Sequence, residues 1–488
     1  MSLPRLLNLA IRGRFAPPPD PRLAQPPSAV AVQSPIPNRE GRAGAPAQSE
    51  ISSVTAPHVE LCSIAGHFIL FDSNSLCAVE VSERQFRALE DGASWTRMQG
   101  LLWSAPAVQS AISNPQSEIT RPPVRALCLI VTDACNLSCS YCFVRRDHAS
   151  DGSIMSVETA LRAAELFAPG EPWIISLFGG EPLRDAVHLM VLGDALVAAA
   201  KRRGAACSLS LTTNATLIDA PVAQWLARRQ VSIIASVDGP ERLHDAARGA
   251  RSYRAALRGL ECLAAAGCAR RVTLRGTWTA PAAVECRLSH LNHLCDQGLA
   301  ARVALEPADT FTWSPELAQE ITNATTWFIQ GATAGLTVRW RYLEHVLGRI
   351  LWMRPKSSEC GAGVGYLTVD PAGNVHACHR RAGAPLFNLC GTAALGGGPS
   401  AWQCCSVSQR PACASCWVRH VCGGGCRAES LRACGSTSGV SADRCGLMRY
   451  LVQEALRAAA ELPRDALLRL CPEPPVPAAL GTAERDRP

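Results

Sequence analysis

The chain has 488 residues and a formal net charge of +7. That length suffices for two or three domains with a full-sized core. The basic residues form no stripe with interleaved aromatics, and no apolar run is long enough to span a bilayer. We therefore expect neither a nucleic-acid nor a membrane partner.

The sequence contains 23 cysteines, an unusually large number. A chain of this size is not a small disulfide scaffold, and we find no convincing secretory signal in it. We therefore expect a cytoplasmic protein whose thiols are reduced and free to bind metal. Ten of the cysteines fall in two motifs, and the others are expected to be buried small apolar residues or spare thiols.

The first part of the chain reads as a tail followed by a small module. Residues 1–57 are rich in Pro, Ala, Ser and Arg without periodicity, which predicts a disordered tail, with a transit-like presequence as the alternative. Residues 58–117 predict a small α+β module. Its expected strands begin at Val59, His67 and Leu76, and its expected helices cover Glu83–Leu89 and Ser94–Leu102.

Strands and helices then alternate from residue 118 to 354. The apolar runs predict parallel strands covered by helices, arranged as a partial barrel of six βα units with its site at the carboxyl ends of the strands. The predicted strands are Ala126–Thr132, Trp173–Phe178, Cys207–Thr213, Val231–Val237, Val272–Trp278 and Arg302–Leu305. The predicted helices are Val157–Phe167, Ala186–Arg202, Ala220–Arg228, Ser252–Ala265 and Ala282–Gln297.

Three cysteines follow the first of these strands closely. Cys135, Cys139 and Cys142 have the spacing C-x3-C-x2-C, with Tyr141 before the last. Three thiolates on one loop can hold three corners of a [4Fe-4S] cluster and leave the fourth iron open for chemistry. The alternative is zinc, which prefers four ligands, often in C-x2-C pairs.

This loop resembles the signature of the radical S-adenosylmethionine (radical SAM) enzymes. The resemblance implies that Cys135, Cys139 and Cys142 bind the cluster and that Tyr141 lies beside the adenine of SAM. It also implies that the SAM amino group contacts the Gly-Gly-Glu segment after the second strand, which is Gly179, Gly180 and Glu181. Candidates for the SAM carboxylate and ribose are the strand-end residues Asn214, Ser236 and Arg275, with ordinary strand-end hydrogen bonding as the alternative.

A second cysteine array lies in the expected domain 355–450, before a C-terminal helix and tail at 451–488. Its order resembles the SPASM extension of radical SAM enzymes, which carries two auxiliary [4Fe-4S] clusters. By position, one cluster would use Cys413, Cys416, Cys422 and Cys445. The other would use Cys360, Cys378 and Cys426, with the fourth ligand unassigned: either a cysteine such as Cys390 or a site open to substrate. Zinc is again the alternative.

The residues after Cys378 bear on the reaction. Cys378-His379-Arg380 looks like the peptide maturases of the SCIFF and quinohemoprotein amine dehydrogenase type, which join a cysteine sulfur to carbon. His379 is a candidate base, or else a surface or supporting residue. The module at 58–117 resembles small domains that add a leader peptide as a strand at a sheet edge, with a structural cap as the alternative.

Together these resemblances imply a radical SAM peptide maturase with SAM and three [4Fe-4S] clusters. We expect a peptide or small protein substrate with a leader segment, and an electron donor such as flavodoxin or ferredoxin. The expected product is an intrapeptide thioether. Carbon–carbon crosslinking, epimerisation and side-chain oxidation are alternatives, and a non-catalytic metal-stapled binding protein is a remote one.

Overall fold

The computed structural model describes residues 59–64, 66–73, 76–90, 124–148, 152–381, 383–389, 402 and 406–472. The predicted tail at 1–57, the predicted helix Ser94–Leu102, the linker near residue 117, Cys390 and the chain beyond residue 472 lie outside these ranges. No helix of the described residues is both long and apolar enough to cross a bilayer.

The N-terminal module is an antiparallel meander of three described strands, as the alternating sequence predicts. These are β1 (Val59–Ile64), β2 (His67–Asp72) and β3 (Cys77–Val81), in the order β1-β2-β3, followed by α1 (Glu83–Glu90). One face of the sheet joins the main core, and the other packs with α1 in a small cluster. On the first face, Phe71 meets Trp417 edge-on at 5.9 Å.

The central sheet confirms the predicted parallel α/β fold. Its six predicted strands lie side by side in chain order, each parallel to the next. They are β4 (Ala126–Thr132), β5 (Trp173–Gly179), β6 (Cys207–Thr213), β7 (Ser232–Ser236), β8 (Val272–Trp278) and β9 (Arg302–Pro307). Inward side chains such as Leu129, Ile175 and Leu211 are fully buried, which explains why these strands read as continuous apolar runs.

The sheet continues beyond the predicted barrel into the C-terminal region. Strand β10 (Tyr366–Val369) pairs parallel with β4, and β11 (Asn374–His376) and β12 (Phe387–Asn388) follow it antiparallel. The described sheet therefore has nine strands. The sequence reading missed these three because each is only two to four residues long, too short to show a period.

Helices cover the strands, and all five predicted barrel helices are present, three of them with the predicted bounds. The helices of the barrel region are α2 (Phe143–Asp147), α3 (Val157–Ala164), α4 (Ala186–Arg202), α5 (Ala220–Arg228), α6 (Glu241–Arg248), α7 (Ser252–Ala265), α8 (Val284–Asp296), α9 (Pro315–Thr333) and α10 (Arg341–Leu351). The sequence reading assigned no helix to α2, α6, α9 or α10. Ser156, Asp219 and Ser314 cap α3, α5 and α9 by accepting a backbone N–H, as N-cap residues do.

The C-terminal cysteines lie on short helices joined to one long helix. The short ones are α11 (Pro411–Ala414), α12 (Arg419–Cys422) and α13 (Arg427–Cys434), and they precede α14 (Ala442–Glu461) and α15 (Arg464–Leu470). Helix α14 runs through residue 450, where we expected a domain boundary. It is held to α9 by Arg457, whose guanidinium donates to Thr326 at 3.2 Å, so it belongs to both regions.

One close approach between α7 and the loop after β6 depends on a glycine. A Cβ on Gly259 would lie 2.0 Å from the carbonyl oxygen of Ala215, a distance that no relaxed structure tolerates. In contrast, a Cβ on Gly348 in α10 would meet nothing nearer than 3.7 Å. Because Ala215 follows Asn214, this contact also positions the site residues of that loop.

We expect Gly259→Ala to lower the free energy of unfolding by about 3 kcal/mol, since the backbone of the loop must shift. Gly348→Ala is the matched control and should leave stability unchanged or raise it by up to about 1 kcal/mol through helix propensity. Urea unfolding of the two variants checks this. Equal stability of the two variants would show that the loop after β6 shifts to accommodate the added Cβ without a cost in free energy.

Candidate active site and cysteine clusters

A cavity of about 480 Å³ opens at the carboxyl ends of the barrel strands. The three cysteines of the loop after β4 line it, as do the tips of β5 to β9. The predicted site residues that line it are Cys135, Cys139, Tyr141, Cys142, Gly179, Gly180, Asn214, Ser236, Arg275, Cys360, His379, Cys422 and Cys426. The partial-barrel prediction expected the cysteine loop, Gly179, Gly180, Asn214 and Ser236 at this end of the sheet, and it made no placement for the C-terminal cysteines or His379.

Nitrogen donors surround the first cysteine of the loop. The Leu137 N–H donates to the Cys135 sulfur at 3.4 Å, and the Asn214 amide lies 3.9 Å from the same sulfur. Burial raises the pKa of the Cys139 thiol to about 11, while the nearby Arg248 guanidinium acts in the opposite direction. N–H donors and a cation beside thiols favour a metal-bound thiolate, so this loop fits an iron–sulfur cluster.

The glycine pair allows the cysteine loop to lie directly on the end of β5. The Gly180 N–H donates to the Thr132 carbonyl at 2.8 Å, and the Glu181 N–H to Ala134 at 2.9 Å. A Cβ on Gly179 would lie 2.1 Å from the Thr132 oxygen, and one on Gly180 would lie 2.4 Å from that of Ala134. Only residues without a side chain fit here.

Glu181 is fully buried beneath the cavity and is not among its lining residues. Its carboxylate accepts from Thr213 Oγ1 at 2.8 Å and from the Asn214 N–H at 2.7 Å. Burial raises its pKa to about 7. The side chain thus holds the loop after β6, and its contact with the SAM amino group stays a prediction.

Tyr141 contacts a buried ion pair formed by Asp238 and Arg248. The Tyr141 hydroxyl donates to Asp238 at 2.6 Å, and Arg248 forms two bonds of 2.8 and 2.9 Å to the same carboxylate. The Arg248 guanidinium also lies 5.5 Å from the centre of the Tyr141 ring. Sequence reasoning missed Arg248, because nothing in its spacing marks it as the partner of Asp238 across a loop and helix α6.

The remaining strand-end candidates form a polar wall. Ser236 and Arg275 are paired in register on β7 and β8. The Arg275 guanidinium donates to Glu306 at the end of β9, at 2.8 Å. Glu306 was not predicted, although a charged residue at the end of an apolar strand was a usable signal.

The described C-terminal cysteines of the predicted array are distributed over two cavities. Cys413, Cys416, Cys422 and Cys445 line one small cavity. Burial raises the pKa values of the Cys413 and Cys445 thiols, and the charge of Arg449 acts in the opposite direction. Arg449 also forms a hydrogen bond with Cys416. Four thiols with a cation beside them suit a second metal cluster.

The other three predicted ligands, Cys360, Cys378 and Cys426, do not all line the same cavity. Cys360 and Cys426 line the main cavity, and Cys426 also borders the small one. Cys378 is buried close to Cys128 and is not among the residues lining either cavity. Among the described residues, no three histidine, cysteine or acidic side chains converge on a single-ion site.

His379 is half-buried and lies among aromatic rings. Its ring lies 5.1 Å from Phe178 and 6.0 Å from Phe143, and Nδ1 is 3.2 Å from the Tyr366 hydroxyl. Burial, with the nearby Arg380 and Arg275, lowers its pKa to about 3. The prediction of a base rested on a pKa near neutral, and this environment does not favour that role.

Arginine–carboxylate pairs join the barrel to the C-terminal cysteine region. Asp309, after β9, accepts from Arg146 at 2.9 Å, Arg380 at 2.6 Å and Arg432 at 2.7 Å. Its side chain is only 3% exposed, and these three cations hold its pKa down at about 2. A second pair joins Arg381 to Asp133 through bonds of 2.7 and 2.9 Å.

We expect Asp309→Asn to lower the free energy of unfolding at pH 7 by about 2 kcal/mol, the equivalent of that pKa shift. Because the folded pKa lies below the unfolded one, the difference from the wild type should hold down to about pH 5. It should then shrink as the pH falls below about 4.

Urea midpoints of the wild type and the variant at pH 7, 5 and 3.5 measure this. Asp296→Asn is the control, since its partner is also an arginine but its side chain is 61% exposed. It should cost less than about 1 kcal/mol. An equal loss of unfolding free energy in both variants would contradict the stabilising role of the buried Asp309 carboxylate.

Comparison with known proteins agrees with this geometry. Residues 129–277 match the model of the Radical SAM superfamily. The chain therefore carries a radical SAM domain. It is 27% identical over 161 residues to the radical SAM cyclopropyl synthase TigE of Paramaledivibacter caminithermalis. That match covers 30% of this chain and about a third, 34%, of the relative.

Solved structures share the fold over more of the chain. The structure of anSMEcpe with bound AdoMet has a TM-score of 0.58 and 18% identity, covering 72% of this chain and 98% of that one. Streptococcus suis SuiB bound to precursor peptide SuiA has a TM-score of 0.50 and 13% identity. It covers 80% of this chain and 99% of that chain. At these identities the likeness establishes the fold.

Proposed function

We propose that this protein is a radical SAM maturase that oxidises a ribosomally made peptide, joining a cysteine sulfur of the peptide to one of its carbons. The observation that carries the proposal is the shared cavity. Cys135, Cys139 and Cys142 line it together with Cys360, Cys422 and Cys426. One space is therefore open both to the thiols that would hold the SAM cluster and to thiols that would hold auxiliary clusters.

The chain's own residues would hold and shield the reactants. A [4Fe-4S] cluster with SAM supplies, when bound, a 5′-deoxyadenosyl radical, which needs a site closed to water. Phe143, Phe178, Tyr342 and Met448 give the cavity apolar walls. Gly179 and Gly180 leave room for SAM beside the loop, and Ser236 and Arg275 offer a hydroxyl and a cation for its polar groups.

Two predicted ligand groups complete the assignment. We assign one auxiliary cluster to Cys413, Cys416, Cys422 and Cys445, and the other to Cys360, Cys378 and Cys426. The second group has three thiols, two of which line the main cavity. A metal position without a protein ligand is able to take a substrate thiolate, which supports sulfur-to-carbon bond formation.

The N-terminal module offers a place for a leader peptide. Strands β1 and β2 pack against α14, whereas no described strand pairs with the outer edge of β3. An extended peptide can add there through main-chain hydrogen bonds. The contact of Phe71 with Trp417 then joins the leader site to the cysteine region.

We expect Cys139→Ala to abolish formation of 5′-deoxyadenosine and to remove about four of twelve irons per chain. Cys413→Ala should retain SAM cleavage but give no modified peptide, because it removes a ligand only from an auxiliary cluster. Anaerobic reconstitution, iron analysis and chromatography of the nucleoside measure both effects.

The control is Cys286→Ala, an exposed cysteine outside the motifs, which should behave as the wild type. Full product from the Cys413 variant would refute the auxiliary-cluster role. Bound zinc with no deoxyadenosine in the wild type would refute the catalytic proposal as a whole.

A second candidate reaction is carbon–carbon bond formation. It is favoured by the match over 161 residues to a cyclopropyl synthase. Both reactions remove two hydrogens from the peptide, so the mass change alone does not separate them.

Thiol alkylation of the product distinguishes the two reactions. We expect a loss of two hydrogens and one thiol that no longer reacts with iodoacetamide, because its sulfur is bonded to carbon. The same mass loss with all thiols reactive would favour the carbon–carbon bond. An unchanged mass with an inverted residue would indicate epimerisation. The measurement is tandem mass spectrometry of a short cysteine-containing peptide after turnover.

A further inference from the structure

A second large recess, of about 690 Å³, lies between α10, the start of β9 and the end of α15. It is separate from both cysteine cavities and shares no lining residue with either. Its walls are strongly basic. The cationic residues that line it are Arg302, Arg339, Arg341, Arg349 and Arg354, with His345 beside them.

Little negative charge balances these arginines. Glu344 is the one carboxylate among the described lining residues, and burial raises its pKa to about 7. Arg339 is paired with Asp296 at 3.0 Å. Within the described residues, Arg302 and Arg354 are exposed and form no ion pair. The recess therefore carries a net positive field that attracts an anionic surface.

The other two arginines bond only uncharged acceptors in the described contacts. Arg341 Nε donates to the imidazole of His345 at 3.2 Å, and Arg349 donates to the Arg354 carbonyl at 3.4 Å. Neutral acceptors fix the orientation of a guanidinium without cancelling its charge. These side chains are thus preorganised to meet an acidic partner.

The recess is adjacent to the cysteine region. The charge of Glu359 acts on Arg349 in the recess and also on the Cys422 thiol. The Lys356 N–H donates to the His420 carbonyl at 2.9 Å, which holds the segment leading to Cys360 against α12. A protein bound in the recess would lie beside the segment that carries Cys360.

We propose that this arginine recess is the docking surface for an acidic one-electron carrier protein of the flavodoxin or ferredoxin kind. The inference rests on the iron–sulfur function proposed above. In the exchange the reduced carrier loses one electron and an iron–sulfur cluster of this chain gains one, and no covalent bond forms. Charge complementarity selects the occupant, since electrostatic steering accelerates the association of oppositely charged proteins.

The test compares two charge-reversed variants of the full, reconstituted chain. R302E/R341E/R354E reverses the recess, and R202E/R242E/R258E reverses three exposed arginines on the barrel helices. Association with flavodoxin is followed by surface plasmon resonance at low and high salt. Deoxyadenosine formation is measured with reduced flavodoxin and, separately, with dithionite, a small reductant that needs no docking surface.

We expect the recess variant to lose about tenfold to a hundredfold in association rate at low salt. It should also lose flavodoxin-driven turnover while retaining dithionite-driven turnover. The control variant should match the wild type in all three measurements. High salt should weaken the wild-type association toward that of the recess variant.

Several results would overturn the proposal. Flavodoxin binding that is unchanged in the recess variant, or equally weakened in the control, would show that the recess is not the docking surface. Loss of dithionite-driven turnover in the recess variant would assign these arginines a structural role. Saturable binding of inorganic phosphate without binding of flavodoxin would make the recess a small-anion site. A wild type that forms no deoxyadenosine with dithionite would refute the proposed function, while the binding data would still decide the docking.

Discussion

Three arginines share one buried carboxylate, that of Asp309, and the relative position of the two cysteine regions depends on this shared charge. Arg146 follows the loop of Cys135 to Cys142, Arg380 follows Cys378, and Arg432 lies in the helix after Cys426. Each cysteine-bearing segment thus sends a cation to the same anion. Removing the Asp309 carboxylate would leave the three guanidiniums without their shared anion, which is costly, so this one side chain holds the three segments together.

A buried carboxylate plays the same part on the other side of the cysteine loop. Asp238 at the end of β7 accepts from Tyr141, Arg248 and the Thr277 N–H. The loop is therefore held on one flank by Asp238 and on the other by the pair of Asp133 with Arg381. Ionic contacts on both flanks therefore position the loop that carries the three thiols.

The parts of this architecture that the sequence could predict are those encoded locally. The strands of the barrel follow from apolar runs, and three of the barrel helices were predicted to the residue from their apolar periodicity. The clustering of Cys135, Cys139 and Cys142 follows from spacing alone. Glu306 and Asp309 were missed because their arginine partners lie far along the chain. Arg248 was missed although Asp238 is only 10 residues away, because no sequence motif marks that pair. The motif of Glu181 was recognised from the sequence, whereas its burial depends on how the loop after β6 packs over it.

The electrostatic layout of the molecule separates two kinds of arginine. Those near the cavity, such as Arg380 and Arg444, are matched by Asp309 and Glu429, and they serve as internal ties. Within the part of the chain that the structure describes, those around the recess beside α10 form no ion pair with a carboxylate, apart from Arg339 with Asp296. Unpaired cations gathered in one recess repel one another, and this repulsion destabilises the folded protein. We therefore interpret the recess as a binding surface and not as a stabilising element.

The pairing of β10 with β4 has a consequence for how this protein can be divided. Strand β4 carries the cysteine loop at its end, and its outer side is covered by a strand from the C-terminal region. A barrel cut away at residue 354 would expose the backbone N–H and C=O groups of a long apolar strand at an open edge, a template for intermolecular pairing. The barrel and the cysteine-rich region therefore share one sheet, so separating them at this point would uncover the edge of the strand that leads to the cysteine loop.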